Sequence, residues 1–360
     1  MTTAAPLLQQ LGITCPIVQA PMAGGATTPE LIAAVSNFGG LGSLGAGMTD
    51  PMTISQQIDS IKTLTSKPFA VNLMVLTEQE STLFDAPMPE WLADYYADHD
   101  ISVDLPDYPA QNFEAQLAVL LDNPVPVASF TFGIISSEQV EALHQVGTKV
   151  IGTANHPLEA KAWADIGADA VCVQGLEAGG HRGGWLAISE TDPLGLLTLI
   201  TQTRALTDIP LIAAGGLMTG RDIRAVQIAG AEMAQLGTAF LTTHESGIHP
   251  IYKDRLLEVG SGKRPAITRL TRLFSGKLAR GLLNEYLTTY AEFDLSPAVL
   301  KTKMSVASLA NKRNKIMSLL LPPYPQLNAM TRQMRATAAR DGDAEYMSLW
   351  AGQGVALVRS

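Results

Sequence analysis

Short apolar runs rich in Val, Ile, Ala and Leu recur along the chain, each ending in Gly, Asn or another polar residue. Helix-length amphipathic stretches separate most of them. That alternation predicts parallel strands joined by crossover helices. Eight runs qualify as strands: 16–22, 40–45, 69–75, 126–133, 149–155, 170–175, 210–216 and 233–241. Eight strands suffice to close a barrel, although a doubly wound sheet can hold a similar number. Helix starts agree with this reading. Thr28-Pro29-Glu30 sets a capping hydroxyl before a proline, Asn155-His156-Pro157 repeats the arrangement, and Thr219-Gly220-Arg221-Asp222 has capping-box spacing.

Two regions break the rhythm. Residues 76–124 are long for one crossover and carry DAPMPEWLADYYADHD and DLPDYPAQ, which predicts a helical or irregular excursion over the active-site face. From about residue 250 the pattern is helical with no convincing strand, and LPPYPQ at 321–326 interrupts it. The expected organisation is a barrel over 1–250 carrying that insertion, a helical substrate or cap domain over 251–320, and a segment over 321–360 that returns to the barrel.

Composition narrows the function classes. The chain has 360 residues, of which 46% are hydrophobic and 16% charged, as expected of a well-packed globular protein. The net charge of −9 comes without any basic stripe, which argues against a nucleic-acid partner. Cys15 and Cys172 lie far apart and are expected to be reduced thiols. No His, Cys, Asp or Glu group has persuasive metal-ligand spacing. The start, MTTAAPLLQQLG, is unlike a signal peptide, and no apolar run is long enough to span a membrane. A cytoplasmic protein, monomeric or homodimeric, is expected.

The candidate chemistry sits at strand ends. LIAAGGLMTG and MAQLGTAFL put Gly215, Gly216, Gly237 and Thr238 just past the seventh and eighth strands, where barrels commonly hold a phosphate on backbone N–H groups. After the first strand, Ala20, Pro21, Met22 and Ala23 form an irregular backbone suited to lie against a flat ring. Asn72 and Gln174 end the third and sixth strands with amides that donate and accept, matching the edge of an isoalloxazine; each is equally readable as a buried amide satisfying a loop. The sixth-strand loop, GLEAGGHRGG, presents His181 among glycines. An imidazole there can exchange a proton near neutrality, or simply cap a carbonyl. Arg182 suits an anion contact or solvation, and Glu177 a structural role. Tyr108, in the excursion, and Tyr252, past the eighth strand, are candidate substrate contacts or packed aromatics.

Taken in order, QAPMAGGATTPELIAAVSNFGGLGSLGAGM, FAVNLMV, GADAVCVQGLEAGGHRGG, PLIAAGGLMTGRDI and EMAQLGTAFL resemble the nitronate monooxygenase family, its class I branch above all, and LWAGQG at 349–354 resembles that family's C-terminal ending. Met48 departs from the aromatic residue common after GAG. The resemblance implies an α/β fold, an FMN-binding (β/α)8 TIM barrel with a smaller helical domain. It assigns FMN contacts to Asn72, Gln174, Gly179, Gly216 and the run Gln235-Leu236-Gly237-Thr238, with Gly180 and Gly215 beside them, and Gly352, Gln353 and Gly354 approaching the flavin. His181 matches the family's catalytic base. The implied reaction is oxidative denitrification of alkyl nitronates, such as propionate 3-nitronate, with O2 to carbonyl compounds and nitrite. The alternative on the same fold is an FMN-dependent NAD(P)H:quinone or enoyl-thioester reductase. A flavin-binding module without turnover is a further reading.

Overall fold

The computed structural model describes residues 7–76, 87–102, 111–294 and 321–359. They fall into two compact units. The first takes in 7–76, 111–266 and 351–359; the second takes in 87–102, 267–294 and 321–350.

The first unit is an eight-stranded parallel barrel. Its strands are β1 (Ile17–Gln19), β2 (Gly42–Gly45), β3 (Phe69–Met74), β4 (Val127–Thr131), β5 (Lys149–Ala154), β6 (Ala170–Gln174), β7 (Leu211–Ala214) and β8 (Met233–Leu236). Each pairs in parallel with its neighbour in chain order from β2 to β8, and β8 pairs back onto β1. A parallel bridge between Val18 and Leu41 joins β1 to the start of β2, and Gln19 fastens the seam by accepting from the Ser43 N–H at 3.0 Å.

Strand parity sorts the side chains. Phe69, Val71 and Leu73 of β3, like Val171 and Val173 of β6, face the surrounding helices in one large apolar layer. Their neighbours face the barrel axis, where Val18, Leu41, Ala70, Val127, Ile151, Cys172, Ile212 and Met233 pack together. Leu7, Leu11 and Ile13 join that inner cluster. Toward the C-terminal ends the inward set turns polar. Ser43, Asn72, Ser129, Thr153 and Gln235 surround a cavity of about 20 Å³, room for about one water, so the barrel is filled rather than open.

The helix starts expected from the sequence are present. Thr28 accepts from the Leu31 N–H at 3.1 Å, His156 from Leu158, and Thr219 and Asp222 form a reciprocal capping box. The eighth strand is shorter than expected. It stops at Leu236, and Thr238–Leu241 is helical, because Gly237 at φ −107° and ψ −71° ends the extended run. The helix Pro250–Gly260 groups with the barrel unit, not with the expected cap.

The second unit contains the helices Glu90–Asp98, Glu285–Thr289, Gln326–Met330 and Arg332–Asp341 around an aromatic core that includes Trp91, Tyr96, Phe274 and Tyr286. It also holds two strands that the sequence pattern hid, Thr268–Thr271 and Ala279–Leu282, paired antiparallel. At four residues each, with Arg269 and Arg280 inside them, they give no apolar signature. No helix among the described residues is long and apolar enough to cross a membrane.

One ion cluster ties adjacent strands at the N-terminal end of the barrel. Asp169 receives Lys149 Nζ, the Val150 N–H and His144 Nε2, each at 2.8 Å. Burial alone would raise its pKa, but these bonds outweigh burial and hold the carboxyl below its ordinary value. Because the folded pKa lies below the unfolded one, the stabilisation is complete above the ordinary carboxylate range and is lost as pH falls through the lowered value. Asp169→Asn is therefore expected to cost about 1–3 kcal/mol near neutrality and progressively less below about pH 4. Denaturant midpoints of both proteins across that pH range would show it; a pH-independent difference would contradict it.

Candidate active site

The polar groups of the barrel gather where its strands end. Pro21, Asn72 and Gln235, from three separated stretches of sequence, line the small inner cavity. Asn72 is buried and donates from Nδ2 to Ser129 Oγ at 3.0 Å across the β3–β4 pair. The segment 20–23 folds across the ends of β1, β2 and β8. The Ala20 N–H donates to the Leu236 carbonyl at 2.9 Å, and Gly45 lacks a side chain where the Met22 and Ala23 backbone crosses it. A Cβ on Gly237 would stand 3.5 Å from Ala20 Cβ and 3.8 Å from Met22 Sδ, so these residues share one wall.

The turns after β7 and β8 lie side by side at the barrel mouth. Gly215 and Gly216 have φ of +132° and +69°, left-handed conformations that side chains resist. Among the described residues no acceptor takes the N–H of Gly215, Gly216 or Gly237. Half-buried N–H groups left unclaimed at adjacent turns suit an anion. The C-terminal segment closes one side of this cradle. Gly352 donates to Thr238 Oγ1 at 3.0 Å and Gln353 to the Glu177 carbonyl at 2.9 Å. Gly354 packs so tightly that a Cβ would sit 2.3 Å from the Gly216 carbonyl oxygen.

His181 stands on the β6 loop. Gly180, at φ +73°, supplies the reversal that delivers it. Its ring is half-buried and meets the edge of Phe132, centroids 5.7 Å apart and planes at 74°. Phe132 itself lies at φ +74°, an outlier for an aromatic residue, and its N–H donates to the Gly183 carbonyl at 2.8 Å. Strained residues of this kind cluster at functional sites.

The backbone of the His181 loop is held by amides. Gln174 Nε2 donates to the His181 carbonyl at 3.0 Å, while Gln174 Oε1 accepts from Gly183 N–H at 2.9 Å and from Asn155 Nδ2 at 2.8 Å. Arg182, read from the sequence as an anion contact or a solvated charge, is not solvated. It is 3% exposed, and its guanidinium donates to the Gln174 and Gly175 carbonyls at the end of β6. Glu177 has the structural role expected of it, accepting the Leu196 N–H at the start of helix Leu196–Arg204.

Sequence reasoning missed Asn155 and Glu159, both 0% exposed. Asn155 reads only as a helix-start residue, and Glu159 drew no reading. The one legible signal is that Glu159 lies three residues after His156, capping-box spacing for the helix Pro157–Asp165. Tyr252 is buried on the helix Pro250–Gly260, and burial pushes its phenol pKa well up. Tyr108 lies outside the described residues. Among the described residues no group of three His, Cys, Asp or Glu could hold a metal ion.

Fold and site together define a (β/α)8-barrel protein whose polar machinery stands at the C-terminal mouth, where barrel enzymes keep their active sites. The chain belongs to the nitronate monooxygenase family, whose model matches residues 5–360. A relative from Staphylococcus haemolyticus named "Probable nitronate monooxygenase" is 39% identical over 358 residues, 98% of this chain and 92% of the relative. The solved structure of nitroalkane oxidase from Streptomyces ansochromogenes is 39% identical with a TM-score of 0.81, covering 98% of this chain and 93% of that one. FabK from Thermotoga maritima is 27% identical with a TM-score of 0.66, over 99% and 91% of the two chains.

Proposed function

We propose that the protein is an FMN-dependent nitronate monooxygenase that converts alkyl nitronates, propionate 3-nitronate among them, and O2 to carbonyl compounds and nitrite. The observation that carries this reading is His181, delivered by a left-handed Gly180 to the barrel mouth that also holds the unclaimed glycine N–H groups. Those N–H groups at 215–216 and 237 suit a flavin phosphate, since unclaimed backbone N–H groups at adjacent turns attract an anion.

When bound, FMN supplies the electron acceptor for oxidation of the nitronate. The chain does the rest. The backbone of Gly215, Gly216, Gly237 and Thr238 would hold the phosphate, with Gly179 shaping the cradle beside it. Asn72 and Gln174 would offer amides to the flavin; Gln174 spends its carbonyl and one N–H on the His181 loop, which leaves its second N–H for the cofactor. Ala20–Ala23, Gln235 and Leu236 would line the flavin's site. His181 removes the carbon-bound proton of a neutral nitroalkane, or donates to a nitronate oxygen and orients that anion.

Nitrite release matched to oxygen uptake, with FMN identified by mass after heat release, tests this. NADH-dependent reduction of a quinone or an enoyl thioester, without nitrite formation from nitronates, would replace it by the reductase reading.

A further inference from the structure

The His181 loop is anchored to the β5 turn by a buried carboxylate that the proposed mechanism does not use. Glu159 Oε2 accepts from the N–H groups of Asn155 at 2.6 Å and His156 at 3.2 Å; Oε1 accepts from those of Trp185 and Leu186, both at 2.7 Å. A single side chain thus satisfies the turn after β5 with one oxygen and the far end of the His181 loop with the other. Asn155 runs in parallel. Its Oδ1 accepts from the Gly184 N–H, and its Nδ2 donates to both oxygens of Gln174, at 2.6 and 2.8 Å. Donor and acceptor directions agree along the whole chain of bonds. Because Asn155 Nδ2 and the Gly183 N–H both need Gln174 Oε1, Gln174 must present Nε2 to the His181 carbonyl.

Space leaves little alternative. A Cβ on Gly184 would lie 2.7 Å from both Glu159 carboxylate oxygens and 2.9 Å from Asn155 Oδ1, so the loop is seated directly on the pair. Glu159 is 0% exposed, and its four backbone donors satisfy both oxygens, as buried polar groups require.

We infer that Glu159 is a positioning residue for His181, holding the loop 181–186 through Trp185 and Leu186 and, by way of Asn155 and Gln174, the His181 backbone itself. This rests on the role proposed above for His181. Glu159→Gln is the near-isosteric probe. Its amide can accept on one side only and must turn an NH2 toward two backbone N–H groups on the other.

The test is a double-mutant cycle on the flavin-loaded enzyme with propionate 3-nitronate. Glu159→Gln is expected to lower kcat/KM about 10-fold per flavin bound, a 1.4 kcal/mol effect. In the His181→Asn background it should cost less than about 2-fold, since coupled positions are non-additive. Glu159→Asp, which keeps the carboxylate, should recover part of the loss. A second, activity-free readout is hydrogen exchange. The Trp185 and Leu186 amides should exchange at least about 10-fold faster in Glu159→Gln, while amides in the middle of helix Pro157–Asp165 stay protected. Full additivity with His181→Asn, or a loss that only follows flavin content, would make Glu159 merely structural and overturn the inference. If the native enzyme releases no nitrite, the proposed function fails, and exchange decides this inference alone: unchanged Trp185 and Leu186 protection would overturn it.

Discussion

His181→Asn is expected to lower kcat/KM for neutral nitroalkanes by about 10²–10⁴, the range typical of a lost general base. With a preformed nitronate the expected loss is smaller, about 10², because only the donor that orients the nitronate oxygen is changed. The difference follows from the chemistry. A neutral nitroalkane still has its carbon-bound proton, and an asparagine amide cannot take it; a nitronate has already lost it. The variant should keep its fold and its FMN, because the loop is held through the His181 carbonyl and the Gly183 and Gly184 N–H groups, none of which needs the imidazole. Steady-state kinetics with a nitroalkane and its nitronate, normalised to flavin, would show the split. Equal activity of variant and native enzyme on both substrates would remove His181 from the mechanism.

Gly179→Ala is expected to weaken FMN binding by about 10²-fold, close to 2.7 kcal/mol. The new Cβ would lie 2.5 Å from the Gly352 nitrogen and 2.6 Å from the Ala351 carbonyl carbon. Both are backbone atoms, which cannot rotate aside as a long side chain would, and overpacking of this kind commonly costs about 1–3 kcal/mol. The strain falls on the segment tied by the Gly352 bond to Thr238 and the Gln353 bond to Glu177, one side of the proposed phosphate cradle. Fluorescence titration of the flavin-free variant would measure the loss. A dissociation constant within about 2-fold of native would show that this segment does not shape the cradle.

The barrel was legible because its strands are buried on both faces. Apolar runs such as 69–75 and 170–175 stand out, and the observed β3 and β6 differ from them by one residue at one end. The glycines at 215–216 were legible as well, since few residues other than glycine accept their backbone angles. What stayed hidden depends on contacts between distant segments. Nothing local to Asn155 or Glu159 reveals that a loop nearly thirty residues later sits on them. Arg182 read equally as an anion contact or a solvated charge, yet it is buried and donates to the backbone carbonyls of Gln174 and Gly175. Phe132 carries no signal at all, since a bulky residue with positive φ is a property of the folded backbone. The hairpin of Thr268–Thr271 and Ala279–Leu282 escaped for the opposite reason: its strands are too short and too charged to show a period.

The most direct test of the central claim is to mix the purified flavoprotein anaerobically with propionate 3-nitronate and, separately, with NADH, following the absorbance of the bound flavin. The account predicts prompt reduction by the nitronate and no response to NADH. Fast reduction by NADH with none by the nitronate would contradict it, and would make the barrel mouth a hydride-accepting reductase site.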